Sequence, residues 1–289
     1  MRQILDAHLH VWERARHPQP WIDPRTMAAI DRDFPPASAA AELSRNDVGG
    51  SVVVQAVNDL TETVDLLSGT RDLDAVAGVV GWIDLTGDVD AQVTMLRSGP
   101  GGEKLVGVRH VTFAEEDERW LSRADVGHGL DALARLGLTF DVLVGHHQLA
   151  QVADVVGDHP RTAFVLDHLG KVPLRGTELV DWAADLALVA RRPNVVAKVS
   201  GLVTEDEAGR WSTERLRPVV RHALRTFGPG RLLYGSDWPL AELEGGYGAW
   251  LRAYLELTGH LPAADQAAVD GRNAARIYGI SRRPGRRPR

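Results

Sequence analysis

Short apolar stretches rich in β-branched residues recur along the whole chain. Several of them, such as SVVVQAV, FDVLV and NVVAKV, are continuously apolar rather than alternating, which is typical of strands covered on both faces. The pattern predicts eight strands, at residues 4–10, 51–56, 75–83, 105–110, 138–144, 163–168, 194–200 and 231–237. A parallel sheet buried on both faces is therefore expected.

Segments with helical spacing lie between most of the predicted strands. HGLDALARLG carries leucines at helical spacing and ends in Gly137, which favours the left-handed turn that closes a helix. LVDWAADLALVARRPN has a similar apolar stripe and is stopped by Pro193. Eight strands alternating with helices predict a single-domain, distorted (β/α)8 TIM barrel over residues 1–280. A doubly wound sheet is the alternative, but it usually has a glycine-rich turn after its first strand, where this chain has His-Leu-His-Val-Trp.

Two segments depart from a minimal barrel. The connection at residues 12–36 is long and rich in Pro, Arg and Trp, and a helix is expected to begin near Ala37. Long connections of this kind often cover an active site. The segment 242–254 contains GGYGAW and is interpreted as a second cover.

Composition and charge narrow the class of protein. The chain has 289 residues, no cysteine and a net charge of −6, with Lys and Arg scattered along it. These features predict a cytoplasmic protein, and they argue against nucleic acid and membranes as partners. The amino terminus is too short and too polar for a signal peptide. The basic segment 281–289 is expected to be a disordered tail, and a homodimer is left open.

Ionisable side chains follow several of the predicted strands. In a (β/α)8 barrel the active site lies at the carboxyl ends of the strands, so these side chains should share one rim. The candidates, in chain order, are His8, His10, Asp84, Arg109, His110, His168, Lys171 and Asp237. Three tryptophans, Trp12, Trp21 and Trp238, are expected to supply aromatic walls for a substrate pocket.

Each candidate also has a simpler structural explanation. His8 and His10 could be satisfied polar residues at a barrel mouth, and Asp237 could cap the helix after it. Arg109 could brace neighbouring carboxylates, and the tryptophans could pack the rim. The functional reading depends on all of these groups meeting at one end of one barrel.

Four motifs, DAHLHVW, GVRH, LDHLGK and GSDWP, resemble those of the amidohydrolase superfamily, in the same order along the chain. More narrowly they resemble its sugar-lactonase-like branch, which includes L-fuconolactonases, L-rhamnonolactonases and 2-pyrone-4,6-dicarboxylate lactonases. The resemblance extends over residues 4–240. It implies a distorted barrel that hydrolyses an ester or amide bond with water.

The resemblance also implies a ligand set for one divalent ion, zinc or manganese, at His8, His10 and Asp237. A further histidine is usual on strand five, but LTFDVLV contains none. Either His146 or His147, just after that strand, reaches back, or the ligand is missing. Because the branch includes members without a tightly held metal, a metal-independent site is left open as well.

The expected reaction is the opening of a sugar lactone, a small-molecule substrate. Asp237 would activate water, and His8, His10 and His168 would polarise the carbonyl. Arg109 and His110, with Lys171 and Asp84, would contact the substrate. A metal-dependent decarboxylase or another hydrolase of the superfamily, and a barrel that binds a sugar acid without turnover, are the alternatives.

Overall fold

Eight parallel strands in chain order form the centre of the computed structural model, which describes residues 3–176 and 178–280. They are β1 (Leu5–Leu9), β2 (Gly50–Val54), β3 (Val76–Gly81), β4 (Leu105–Val111), β5 (Thr139–Leu143), β6 (Ala163–Leu166), β7 (Val195–Val199) and β8 (Leu232–Tyr234). Each strand pairs with the next in parallel. The predicted (β/α)8 barrel is confirmed, and each predicted strand overlaps an observed one. The basic segment at 281–289 lies outside the described residues.

The barrel closes where the residues after β8 meet β1. The amide of Asp237 donates to the carbonyl of His8 over 2.8 Å, and the amide of His10 donates to the carbonyl of Trp238 over 2.7 Å. The buried Asp6 carboxylate strengthens this seam, because it accepts hydrogen bonds from the amides of His8 and Ser236. The segment that contains Asp237 is thus held as a short extension of the sheet.

Helices surround the sheet. They are α1 (Pro36–Arg45), α2 (Leu60–Thr70), α3 (Val89–Ser98), α4 (Ala124–Leu136), α5 (Leu149–Asp158), α6 (Leu179–Ala190), α7 (Thr213–Phe227), α8 (Tyr247–Thr258), α9 (Ala263–Ala267) and α10 (Asn273–Ile277). Gly137 ends α4 in the predicted left-handed conformation, with φ of 69°. None of the helices in the described part of the chain is long and apolar enough to cross a bilayer.

The interpretation of 242–254 as a cover is wrong. A 3-10 turn at Leu240–Glu244 leads directly into α8, where Trp250 and Tyr254 are buried against the barrel. The two glycines before Tyr247 have positive φ values and form the turn into this helix. The segment is therefore mostly an ordinary barrel helix.

The core has two parts. The larger one lies between the strands and the helices, and the smaller one fills the inside of the barrel. Ala274 and Tyr278, from α10 and the residue after it, join the inner core. The side-chain amide of Asn273 donates a hydrogen bond to the carbonyl of Leu232 at the start of β8. The segment around α10 therefore closes the barrel at the amino-terminal ends of its strands.

The long connection at 12–36 is ordered. Trp12 and Phe34 exchange two backbone hydrogen bonds, of 2.9 and 2.8 Å, that pinch the two ends of the connection together. The Phe34 ring packs edge-on against Trp12 and against Trp238, with centroids 5.4 and 5.1 Å apart. The connection is thereby anchored to the end of β8.

Candidate active site

The strand-end side chains of β1 and β8 meet at the carboxyl end of the barrel. Oδ1 of Asp237 lies 3.6 Å from Nε2 of His8 and 3.5 Å from Nε2 of His10. The two imidazole Nε2 atoms are 3.1 Å apart. Nδ1 of His10 lies 2.8 Å from the carbonyl of Val54, and because a carbonyl can only accept, this nitrogen carries a proton. All three side chains are buried.

His168 completes this group from the turn after β6. Its Nε2 is 4.0 Å from Oδ1 of Asp237, and its Nδ1 is 2.9 Å from the hydroxyl of Ser200, which follows β7. His168 and Asp237 both have left-handed backbones, with φ of 52° and 56°. Such conformations are uncommon for residues other than glycine and concentrate at functional sites.

A buried ionic cluster supports the group from beneath. The ammonium of Lys198, on β7, lies 2.6 Å from Asp141 Oδ2, 2.8 Å from Asp167 Oδ1 and 2.9 Å from Nδ1 of His8. The hydroxyl of Tyr278 donates to the same Asp141 oxygen over 2.7 Å. All four of these partners and Lys198 itself are almost completely buried. The cluster connects the closed end of the barrel to His8.

The surroundings set the charges of these groups. Burial alone would raise the pKa of the Asp237 carboxyl, but His168, His10 and His8 outweigh burial and hold this pKa below its ordinary value. Burial lowers the pKa of His8 far below its ordinary value, and the Lys198 charge adds to this effect. Burial also lowers the pKa of His168. At neutral pH the ionised Asp237 carboxylate therefore faces the neutral imidazoles of His8 and His168.

The two carboxyls of the lower cluster respond in opposite directions. Burial opposes ionisation of Asp167, but the neighbouring Lys198 charge outweighs it and keeps the Asp167 pKa well below its ordinary value. Burial raises the pKa of Asp141, and the nearby Asp167 charge adds to the rise. Asp167 is therefore the firmly ionised partner of Lys198.

Three side chains offer ligand atoms that could hold a metal ion. One atom each from His8, His168 and Asp237 lies within 4.8 Å of the other two. His10, predicted as a ligand, has its Nε2 at the edge of this group, 3.5 Å from Asp237 Oδ1. His146 and His147, from the turn after β5, do not belong to the group in the described part of the chain. The structure thus groups His168, and not His146 or His147, with His8 and Asp237.

Arg109 and His110 lie on the opposite side of the mouth and are both buried. Arg109 is held by Asp167, at 3.3 Å, and by the backbone and side chain of Gln55. Nδ1 of His110 accepts from the indole of Trp82 over 3.0 Å, which leaves Nε2 to donate to Glu115 over 2.6 Å. The geometry gives Arg109 a bracing position, and its contact with substrate stays a prediction.

Lys171 and Asp84 are more exposed. Lys171 pairs with Glu205 and contributes a positive charge near His168. The Asp84 carboxylate accepts hydrogen bonds from the amide and hydroxyl of Thr86 in a surface turn, although its charge is felt at His110. Neither side chain bonds to the Asp237 group among the described residues, and their substrate contacts stay predictions.

The three predicted aromatic walls have internal hydrogen bonds. The indoles of Trp12, Trp21 and Trp238 donate to the Arg32 carbonyl, the Gln19 side chain and the Glu242 carboxylate. Trp12 and Trp238 are buried, whereas Trp21 is half-buried. Trp12 and Trp21 belong to the anchored connection at 12–36 and Trp238 follows β8, and a contact of any of the three with substrate stays a prediction.

Sequence analysis did not single out Lys198, Asp141, Asp167 or Ser200. Lys198 and Asp141 are single charged residues inside otherwise apolar strands, in NVVAKV and FDVLV. A charge in such a run must find a partner inside the barrel, because burying it alone is costly. That signal was present in the sequence, although it does not reveal which strands supply the partners.

Comparison with known proteins gives relatives over the whole barrel. Two proteins named L-fucono-1,5-lactonase match at 35% identity, one from Burkholderia ambifaria over 97% of both chains and one from Burkholderia multivorans over 96% of both. A crystal structure of a Burkholderia multivorans amidohydrolase with bound zinc superposes with a TM-score of 0.90. It is 34% identical and covers 96% of this chain and 100% of its own.

The family match extends over nearly the whole described barrel. Residues 5–280 match the amidohydrolase family, a range that includes the first strand, the last strand and the segment that closes the barrel floor. The motifs that carried the resemblance lie at the carboxyl ends of β1, β4, β6 and β8, around one mouth. The chain belongs to the amidohydrolase family.

Proposed function

We propose that this protein hydrolyses the ring ester of a sugar lactone. The observation that carries the proposal is the convergence of His8, His10 and His168 on the buried carboxylate of Asp237. Lactone opening needs an activated water and a donor for the carbonyl oxygen as negative charge develops on it. The group offers one ionised acid and several imidazoles within one small volume.

Asp237 is the proposed general base. Its Oδ1 is buried and has no hydrogen-bond partner among the described residues, so it is free to accept a hydrogen bond from a water molecule. The lowered pKa keeps the carboxylate ionised at neutral pH. As water attacks the carbonyl carbon, Asp237 takes one proton from it and can later deliver this proton to the ring oxygen that leaves.

His168, beside His8, is the proposed source of a hydrogen bond to the carbonyl oxygen. The rings sit edge-to-face with centroids 4.5 Å apart, which directs their nitrogens toward one region beside Asp237. Ser200 holds the other nitrogen of His168 and thereby fixes the direction of the ring. Fixed donors at the site of developing charge typically contribute 10²–10³-fold to a rate.

The proposed substrates are six-membered sugar lactones that carry no charge. Both similar lactonases are named for L-fucono-1,5-lactone. In this chain the Arg109 guanidinium bonds to Asp167 and Gln55, so its charge is already paired with a carboxylate. Lys171, the other predicted cation, is paired with Glu205. An uncharged lactone fits this arrangement better than a dicarboxylate.

A divalent ion fits the same residues. The orphaned Oδ1 of Asp237 and one nitrogen each from His8 and His168 form a donor set of the kind that zinc accepts. A bound ion would act as a Lewis acid toward the carbonyl. The proposed roles of Asp237 and Ser200 are the same with or without it.

The test is hydrolysis of a panel of aldonolactones, followed with a pH indicator, by the wild type and by Asp237→Asn. The substitution keeps the shape of the side chain but removes the base, so kcat should fall by about 10²–10⁴-fold. Unfolding in urea should remain cooperative, which shows that the fold is intact.

Near-normal turnover of the best lactone by Asp237→Asn would remove Asp237 from the role of base. If the wild type opens no lactone of the panel, with or without added zinc or manganese, the proposed function is wrong. Chelator treatment verified by elemental analysis separates the two metal alternatives.

A further inference from the structure

Lys198 touches His8 at the nitrogen that faces away from Asp237. Its ammonium lies within hydrogen-bond reach of Asp141 Oδ2 and of Nδ1 of His8, at 2.6 and 2.9 Å, and it forms an ion pair with Asp167 Oδ1 at 2.8 Å. An ammonium has no lone pair, so in this contact Nδ1 must accept. The competing partner for Nδ1 is Asp167 Oδ1, which is farther away, at 3.3 Å.

The contact with Lys198 then determines which ring nitrogen carries the proton in His8, and this in turn fixes the hydrogen bond between His8 and His10. A neutral His8 that accepts at Nδ1 carries its proton on Nε2. Nδ1 of His10 donates to the Val54 carbonyl, so Nε2 of a neutral His10 is an acceptor. The 3.1 Å contact between the two Nε2 atoms is then a proper hydrogen bond from His8 to His10. With the opposite tautomer of His8, Nδ1–H would point at the Lys198 ammonium.

We propose that Lys198 is a positioning residue that holds the proton of His8 on Nε2, where His10 accepts it, and so weakens the binding of a metal ion at this site. A metal ion needs the lone pair of His8 Nε2, which is the atom that Lys198 keeps protonated. The inference rests on the proposed function in that His8 belongs to the group around the proposed base Asp237.

The tautomer of the metal-free wild type is the direct test. Long-range ¹H–¹⁵N spectra of protein labelled at histidine distinguish the two neutral tautomers, with the resonance assigned by comparison with His8→Gln. We expect the Nε2–H form for His8 in chelator-treated protein. A dominant Nδ1–H form would overturn the proposal, and no variant of Lys198 has to fold for this result.

Zinc affinity of the metal-free protein provides the second readout. Lys198→Met keeps an unbranched side chain, one heavy atom shorter, but removes the donor, so the His8 proton can move to Nδ1 and face Asp167. Zinc should then bind at least about 10-fold more tightly than in the wild type, as measured by calorimetry. Because Lys198→Met leaves two buried carboxyls without their cation, the double variant Lys198→Met/Asp141→Asn is measured beside it.

Tyr278→Phe is the matched control. It removes a hydrogen bond to Asp141 Oδ2 from the same cluster but leaves Lys198 and His8 in place. It should keep the wild-type tautomer and the wild-type zinc affinity. Equal zinc affinity in the wild type and the double variant would overturn the proposal.

These measurements use no lactone, so their failure is distinct from failure of the proposed function. If no lactone is opened but His8 is the Nε2–H form and zinc affinity rises in the double variant, the role of Lys198 stands alone. If lactones are opened but the tautomer is Nδ1–H, the function stands and the role of Lys198 is wrong.

Discussion

Gly201 lies where the turn after β7 passes between His168 and Asp237. A Cβ atom at this position would be 2.5 Å from Nδ1 of His168 and 3.0 Å from Oδ2 of Asp237. Its φ of 65° is also in the left-handed region that favours glycine. The absence of a side chain here lets the imidazole and the carboxylate approach each other.

Gly201→Ala should therefore lower both stability and activity. The backbone conformation should cost about 1 kcal/mol of the free energy of unfolding. Displacement of His168 should lower kcat by about 100-fold, since small misplacements of reacting groups have effects of this size. Urea unfolding and the lactone assay measure the two effects.

Gly209→Ala separates these two effects. Gly209 has a similar φ of 69° but no atom within 4 Å of an added Cβ. The Gly209→Ala variant should lose about as much stability as Gly201→Ala but keep the wild-type activity. If both variants are equally active, the close approach at Gly201 does not matter for the reaction.

At the scale of elements, the connection at 12–36 is held by its aromatic residues. Phe34 is buried and packs between Trp12 and Trp238, and the guanidinium of Arg32 lies 4.3 Å from the centre of its ring. Trp238 directly follows Asp237, so this packing also fixes the segment that carries the proposed base. The connection is thus a brace for the active site, and its role as a cover stays a prediction.

Phe34→Ala should destabilise the protein by about 3–5 kcal/mol, because it leaves a cavity among packed rings. It should also lower kcat for the lactone, since Trp238 loses its support. The free energy of unfolding comes from urea titration. Val180→Ala, at an exposed position on α6, should change it by less than about 0.5 kcal/mol. Equal stabilities of the two variants would show that the connection is not anchored by Phe34.

The sequence predicts some of these features better than others, for physical reasons. His8, His168 and Asp237 could be identified because each ends an apolar run, and strand ends of a barrel share one rim. The partners of Lys198 could not, since they depend on which strands face each other across the barrel. The segment 242–254 was misread because its glycines outweighed the helical spacing of Trp250 and Tyr254.

For the molecule as a whole, buried acids make stability depend on pH. Glu62, at the start of α2, is buried, and burial raises its pKa from 4.5 to about 7. The folded protein therefore holds a proton that the unfolded chain releases between these values. The contribution of Glu62 to stability is fully present below pH 4.5 and is lost as the pH rises through 7.

Glu62→Gln should remove this dependence. Its glutamine carbonyl can still accept from the amides of Ala56 and Val57, which bond to Glu62 in the wild type. Relative to the wild type, the variant should gain as much as about 3 kcal/mol between pH 5 and pH 8. Urea unfolding at the two pH values measures the change. A constant difference between the two proteins would show that Glu62 does not titrate on unfolding.

The closed floor of the barrel has a consequence for product release. Because Ala274 and Tyr278 fill the amino-terminal end, the reactant enters and the product leaves through the same opening. Ring opening converts a neutral molecule into an anion beside the Asp237 carboxylate. Lys198 and Arg109 share the two buried acids Asp141 and Asp167, so these four groups together offer no unpaired positive charge to hold the product. The Asp237 carboxylate therefore repels the newly formed charge toward the exit, which favours release of the product.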